Sequence, residues 1–142
     1  CRDIDLFRQF KRFQIGATLT FDNTDDSSIW EPGAADPASR IEMLRKCHEA
    51  GLRTFVSFEP VLDPEQSLRL MKLAAPYTQH YKIGRWNHDQ RANAINWLDF
   101  GTKAVNFCRE NNKIFYIKND LAKALPEGFL KIEERNPDLL EI

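Results

Sequence analysis

Close cysteine pairs are missing from this chain. The cysteines Cys1, Cys47 and Cys108 are three in number and far apart, so no C-x-x-C or related spacing exists to hold zinc or complete an iron–sulfur site. A protein-only metal site is not expected. Free thiols suit a reducing compartment, and the expected location is cytoplasmic. A surplus of one charge is missing too. With 20 basic and 21 acidic residues the formal net charge is -1. That balance offers no basic field for a phosphate backbone and does not support nucleic-acid binding. No run of about 20 apolar residues is present to span a bilayer. Nothing at the amino terminus reads as a secretory leader. No glycine-rich phosphate fingerprint follows an apolar run, which weakens a dinucleotide-binding reading.

What is present is enough to build a core. The 142 residues are 42% hydrophobic and 11% aromatic. That length suits one domain or a piece of one, and disorder is not expected. The chain opens on Cys1, directly in a helix-like stretch, which reads as a piece of a longer protein.

The spacing predicts a helix over residues 3–12 and a strand over 14–21. In that strand Ile15, Ala17 and Leu19 share one face, while Gly16, Thr18 and Thr20 share the other. A loop of turn formers follows. Asp36 and Pro37 then start a helix that carries Leu44 and Cys47 and stops at Gly51. Strand 53–58 comes next, and Asp63 with Pro64 repeats the helix-start chemistry. Strand 79–83, a helix over about 92–111 and a strand over 114–117 complete the pattern. Residues 126–142 read as a polar, weakly periodic tail. Strict alternation of strand and helix is the pattern of parallel βαβ units. The expected class is α/β, a barrel segment or a doubly wound sheet, over residues 1–125.

In parallel α/β folds, sites form at the carboxyl ends of strands. Thr18, Thr20 and Asp22 offer hydroxyls and a carboxylate suited to a ribose or another polyol. As ordinary residues they are β-formers followed by a turn aspartate. Glu59 closes the second strand, as a functional carboxylate or a solvated loop residue. Lys82 lies inside a parallel strand and needs a partner, for which Glu59 is one candidate. Glu31, in the Trp30-Glu31-Pro32-Gly33 stretch, sits in an expected lid or plug. From the next helix Arg40 is placed to reach back over the strand end and grip a carboxylate. Arg85 and Trp86, in the loop after the third strand, are placed to touch a substrate.

Three segments, IGATLTFDN, WEPGAADPASRIEML and HEAGLRTFVSFEPVLDP, together resemble radical S-adenosylmethionine (SAM) proteins of the spore photoproduct lyase and DNA-repair-photolyase-like group. The likeness extends more loosely through HYKIGRW and IFYIKNDL. It implies a partial parallel (βα) barrel, about three to four βα units forming the carboxyl-terminal half of a TIM-barrel-like core. It also implies SAM and a 4Fe-4S cluster in the full-length protein. The family's C-x-x-x-C-x-x-C cluster loop is absent, so neither cofactor's chemistry is expected of this segment alone. By motif position, Thr18, Thr20 and Asp22 would lie near the SAM ribose and Arg40 near its carboxylate. Val56 and Ser57 would line the adenine side. Lys82 would meet the carboxylate or substrate, with Glu31, Glu59, Arg85 and Trp86 on the substrate side. The implied partner is the preceding, amino-terminal half of the same protein.

Two other readings stay open. One is a TIM-barrel hydrolase or isomerase that divides acid and base roles among Asp22, Glu31 and Glu59. The other is a non-catalytic association module, in which the unpaired barrel edge makes a homodimer.

Overall fold

The computed structural model describes residues 3–138, so Cys1 lies outside the described residues. Four strands, β1 (Ile15–Thr18), β2 (Thr54–Phe58), β3 (His80–Ile83) and β4 (Ile114–Ile117), form one parallel sheet in the order β1-β2-β3-β4. Helices α1 (Ile4–Phe7), α2 (Thr24–Trp30), α3 (Pro37–Glu49), α4 (Pro64–Ala74), α5 (Trp97–Glu110) and α6 (Asn119–Ala122) complete the element order, with short 3-10 turns between them. At least one α-helix occupies every crossover. The chain is therefore an α/β fold built on a parallel sheet. Among the described residues no helix is long and apolar enough to cross a membrane.

The helix starts follow from local chemistry. Asp36 accepts a hydrogen bond from the Ser39 N–H at 3.0 Å, with Pro37 in the first turn. Asp63 accepts from the N–H groups of Glu65 and Gln66 at 2.9 and 3.1 Å. Register then sorts the side chains. Val56, Tyr81 and Phe115 share one row, and Phe58, Ile83 and Ile117 share another. All six are buried and join Leu44, Leu70, Met71, Phe100, Ala104 and Val105 in the core. Each large apolar side chain fully buried there contributes about 1.5–3 kcal/mol. The Tyr81 hydroxyl donates to the Met71 carbonyl at 2.7 Å, and burial pushes its pKa up, so it remains a donor.

Several boundaries differ from expectation. The helix expected over 3–12 shrinks to α1, which buries no residue and is too short to sustain itself. The stretch 22–36 contains α2, capped by Asn23 accepting from the Asp26 N–H at 2.9 Å. The helix expected from about 92 is split into a 3-10 turn, Gln90–Ala94, and α5. Asn96 caps α5 through the Asp99 N–H at 3.0 Å, and the Trp97 indole N–H bonds the Ala92 carbonyl at 2.9 Å. Leu98, expected from its spacing on the buried side of that helix, is exposed, and Trp97 and Phe100 are buried instead.

The segment beyond Pro126 docks against α5. Arg109 holds both carboxylate oxygens of Glu134 at 2.8 Å and the Phe129 carbonyl at 2.8 Å. Glu134 is only 4% exposed. Burial raises its carboxyl pKa, but the Arg109 fork and the Lys131 N–H outweigh that and hold it below the usual value.

Candidate functional site

The helices cover one face of the sheet, and the residues of opposite parity form the second face. Reading the register across the strands gives two rows there: Gly16, Phe55, His80 and Ile114, then Thr18, Ser57, Lys82 and Tyr116. Two residues further on come Thr20, Glu59, Gly84 and Lys118. Hydrogen bonds from the Gly84 N–H to the Phe58 carbonyl (3.1 Å) and from the Lys118 N–H to the Ile83 carbonyl (2.9 Å) carry the ladder to that level.

The middle row combines polarity with unused bonding capacity. Thr18, Ser57, Lys82 and Tyr116 are all solvent-accessible to some degree. Their donor groups have no hydrogen bond to any described residue; Lys82 Nζ instead lies 4.7 Å from the centre of the Phe55 ring. That ring lies across Gly16, where a Cβ would sit 2.2 Å from Phe55 Cζ, so a larger residue there would displace the ring. The result is an aromatic surface beside an ammonium and three hydroxyls.

The upper row carries an ion pair. Lys118, just past β4, bonds Glu59, just past β2, directly over the end of β3. The residue beneath is Gly84, where a Cβ would lie 2.4 Å from Glu59 Oε1. The missing side chain makes room for the bridge. Lys82 therefore does not pair with Glu59, as its sequence position had suggested. Register sends Glu59 one level higher, where Lys118 meets it. The Glu59–Pro60 peptide is cis.

The other sequence candidates divide. Val56 is fully buried on the helix face and offers no surface beside Ser57, because adjacent strand residues point to opposite faces. Asp22 also leaves the row: its carboxylate bonds Arg69 of α4 at 2.5 Å. Thr20 is buried, and its Oγ1 has no partner. Arg40 does reach back to β1. Its Nη1 donates to the Thr18 carbonyl at 2.9 Å and to Glu31 at 3.0 Å, and its Nε to the Ala35 carbonyl at 2.7 Å. Its Nη2 is buried without a partner. Glu31 is thus Arg40's counter-ion rather than a free group.

At the rim of the sheet, Trp30 and Trp86 meet edge-on with ring centres 5.8 Å apart. The Arg91 guanidinium lies 4.9 Å from each. This contact joins α2 to the loop after β3. Arg85 stacks on Trp97 at 4.8 Å.

Sequence reasoning put Phe55 on the face of Ser57 and Glu59 without giving it a role, and missed Gly84, Tyr116 and Lys118. The period-two pattern of IFYIK already put Tyr116 and Lys118 on one face, but matching them to Lys82 and Glu59 needed the register. His80, below Lys82, is buried with Nδ1 unpartnered; burial and the Arg53 charge hold its pKa below the usual value, leaving it neutral. Cys47 and Cys108 are buried, and burial raises both thiol pKa values. Among the described residues no group of three or more His, Cys, Asp or Glu is placed to hold a metal ion.

No family model matches the chain, and no match was found among curated proteins or solved structures.

Proposed function

We propose that the open face is one wall of a cofactor and substrate pocket in a radical SAM enzyme, whose remaining strands and cluster loop belong to a preceding segment of the same protein. The observation that carries this reading is the middle row, where Thr18, Ser57, Lys82 and Tyr116 present donors that the fold itself leaves unused. Unused polar groups aligned across a sheet are what a polar ligand satisfies.

The residues present suit an adenosyl group with an amino-acid tail. Thr18 and Ser57 have hydroxyls for a ribose diol. The half-buried Phe55 ring offers a stacking surface for a planar base. Lys82 supplies a cation for a carboxylate, whereas Arg40 is already paired with Glu31 and its remaining Nη2 is buried. The cluster is another matter. Both described cysteines are buried, so its ligands would come from elsewhere. With cluster and cofactor bound, the chemistry supplied would be hydrogen-atom abstraction from a substrate. This chain's own residues would bind and orient. Lys118 would hold Glu59 in position at the mouth, and the Trp30–Trp86 contact would limit access over β2. Such a segment has no activity by itself.

The carboxylate-pair hydrolase reading draws less support. Asp22, Glu31 and Glu59 are each committed to a different cation, Arg69, Arg40 and Lys118. None is left free to act as a general base.

The test is reconstitution of the protein that carries this chain, with iron and sulfide, without oxygen. A four-iron absorption band and reductive release of 5′-deoxyadenosine from SAM are expected. Lys82→Met and Thr18→Val should each weaken SAM binding about tenfold, the value of one lost charge-assisted or geometrically fixed hydrogen bond. Absence of a cluster, or SAM cleavage indifferent to both substitutions, removes the reading.

A further inference from the structure

A second set of unused donors lies beside the open face, and it deepens the pocket reading by giving the substrate a charge. The loop leaving β3 and the turn leaving β4 enclose a cleft of about 390 Å³, lined by Arg85, Asn87, His88, Asp120, Lys123 and Ala124. It is one residue along the chain from Gly84 and two from Lys118, so it adjoins the mouth of the proposed pocket.

The bonding of these residues is uneven. Lys123 and Asp120 neutralise each other at 2.9 Å. Arg85 has no carboxylate partner among the described residues. Its guanidinium is fixed in place by stacking on Trp97, with one long Nε contact of 3.4 Å to the Trp86 carbonyl. Asn87 and His88 have no hydrogen-bond partner among the described residues. His88 is also held at φ 63, a left-handed conformation that a histidine rarely adopts. Asp120 registers the field of this corner. Its pKa is lowered first by Lys123 and further by the charges of Arg85 and His88. A fixed arginine, an amide and an imidazole, unspent and facing one cleft, form a recognition set for an oxyanion.

We propose that this cleft is an oxyanion subsite that takes a phosphate-type group of the substrate, so that the substrate processed at the open face is an anion. The proposal rests on the open-face reading for the identity of the ligand, but the subsite can be tested without it. Inorganic phosphate is titrated into the chain while backbone and side-chain amide resonances are followed, with acetate as the planar, singly charged comparison. Saturable binding in the millimolar range is expected, with shifts centred on Arg85, Asn87 and His88 and weaker binding of acetate. Arg85→Gln should weaken phosphate about tenfold, as loss of a charge-assisted bond does. His88→Gly, which keeps the backbone conformation, should weaken it less. Asp120→Asn should tighten it about threefold by removing a nearby like charge.

Lys82→Met separates the two readings. It should leave phosphate affinity unchanged while weakening SAM. If phosphate binding is lost with Lys82→Met, the anion sits on the open face and the subsite is overturned. If binding never saturates, or survives both Arg85→Gln and His88→Gly in folded protein, the subsite is equally overturned. If Lys82→Met leaves SAM untouched while Arg85→Gln abolishes phosphate, the subsite stands and the open-face reading falls.

Discussion

The two faces of this sheet are made by the same four strands, yet they spend their side chains differently. On the helix face, Val56, Phe58, Tyr81, Ile83 and Ile117 have no exposed surface, and the hydroxyls in that layer, those of Thr54 and Tyr81, are bonded. On the open face the middle row holds hydroxyls and an ammonium with no internal hydrogen bond, and the upper row needs a glycine to let an ion pair pass. One face is satisfied by the fold. The other leaves the polar groups of its middle row to solvent or to a ligand. Stability should therefore reside on the first face and ligand recognition on the second.

The sharpest break of that comparison is Phe58→Ala. It removes a fully buried ring that packs edge-on against Tyr81 at 5.0 Å. A loss of about 3–5 kcal/mol is expected in urea unfolding. A loss below about 1 kcal/mol would mean that the helix face does not carry the fold.

Next comes the clasp between α5 and the carboxyl-terminal segment. Glu134→Gln should cost about 1–2 kcal/mol, because it leaves the partly exposed Arg109 fork without its anion. The pH dependence follows from its lowered pKa. That contribution is fully present above the unfolded carboxyl value of about 4.3 and is lost as pH falls through the lower folded value. Wild-type stability should therefore drop between pH 5 and 2 by more than that of Glu134→Gln, where these limits are approximate. Parallel acid curves for the two would dismiss the clasp.

The contrast between the faces also explains what the sequence made legible. Alternation in QIGATLTF and RTFVSF assigned each strand residue to one of two faces, because side-chain direction in a strand has a period of two. Asp36-Pro37 and Asp63-Pro64 located two helix starts, because capping is local. Three features stayed hidden. The weak α2 pattern was masked by turn-forming Asp and Ser, although Asn23 with Asp25 and Asp26 in the first turn is a cap signal. The Glu59–Lys118 pair joins residues 59 positions apart, which no local pattern reports. Asp22 shared the parity of Thr18 and Thr20, but the chain leaves the sheet before reaching it, and Arg69 draws it to the helices. In the last two the missing information was register or strand end, both set by long-range pairing.

Gly84→Ala probes the boundary between the faces. The new methyl would meet the Glu59 carboxylate, a movable group, rather than backbone. A stability loss of about 1 kcal/mol is expected, with displacement of Glu59 from Lys118. The readout is the Lys118 side-chain resonance, which should lose its dependence on Glu59→Gln. If Gly84→Ala and wild type respond alike to Glu59→Gln, the glycine is not what admits the bridge.

The smallest stability effect belongs to the middle row, and that is what makes it informative. Tyr116→Phe removes a hydroxyl that bonds no described residue, and Lys82→Met removes an ammonium while keeping a chain that still covers Phe55. Each should change unfolding free energy by less than about 0.5 kcal/mol. A residue placed for folding would not behave this way, since a buried or bonded polar group lost from this sheet should cost about 1 kcal/mol or more. Unchanged stability together with weakened adenosyl binding separates recognition from folding at these two positions. Destabilisation comparable to Glu134→Gln would return the row to the fold, and the asymmetry between the faces would then reflect packing alone.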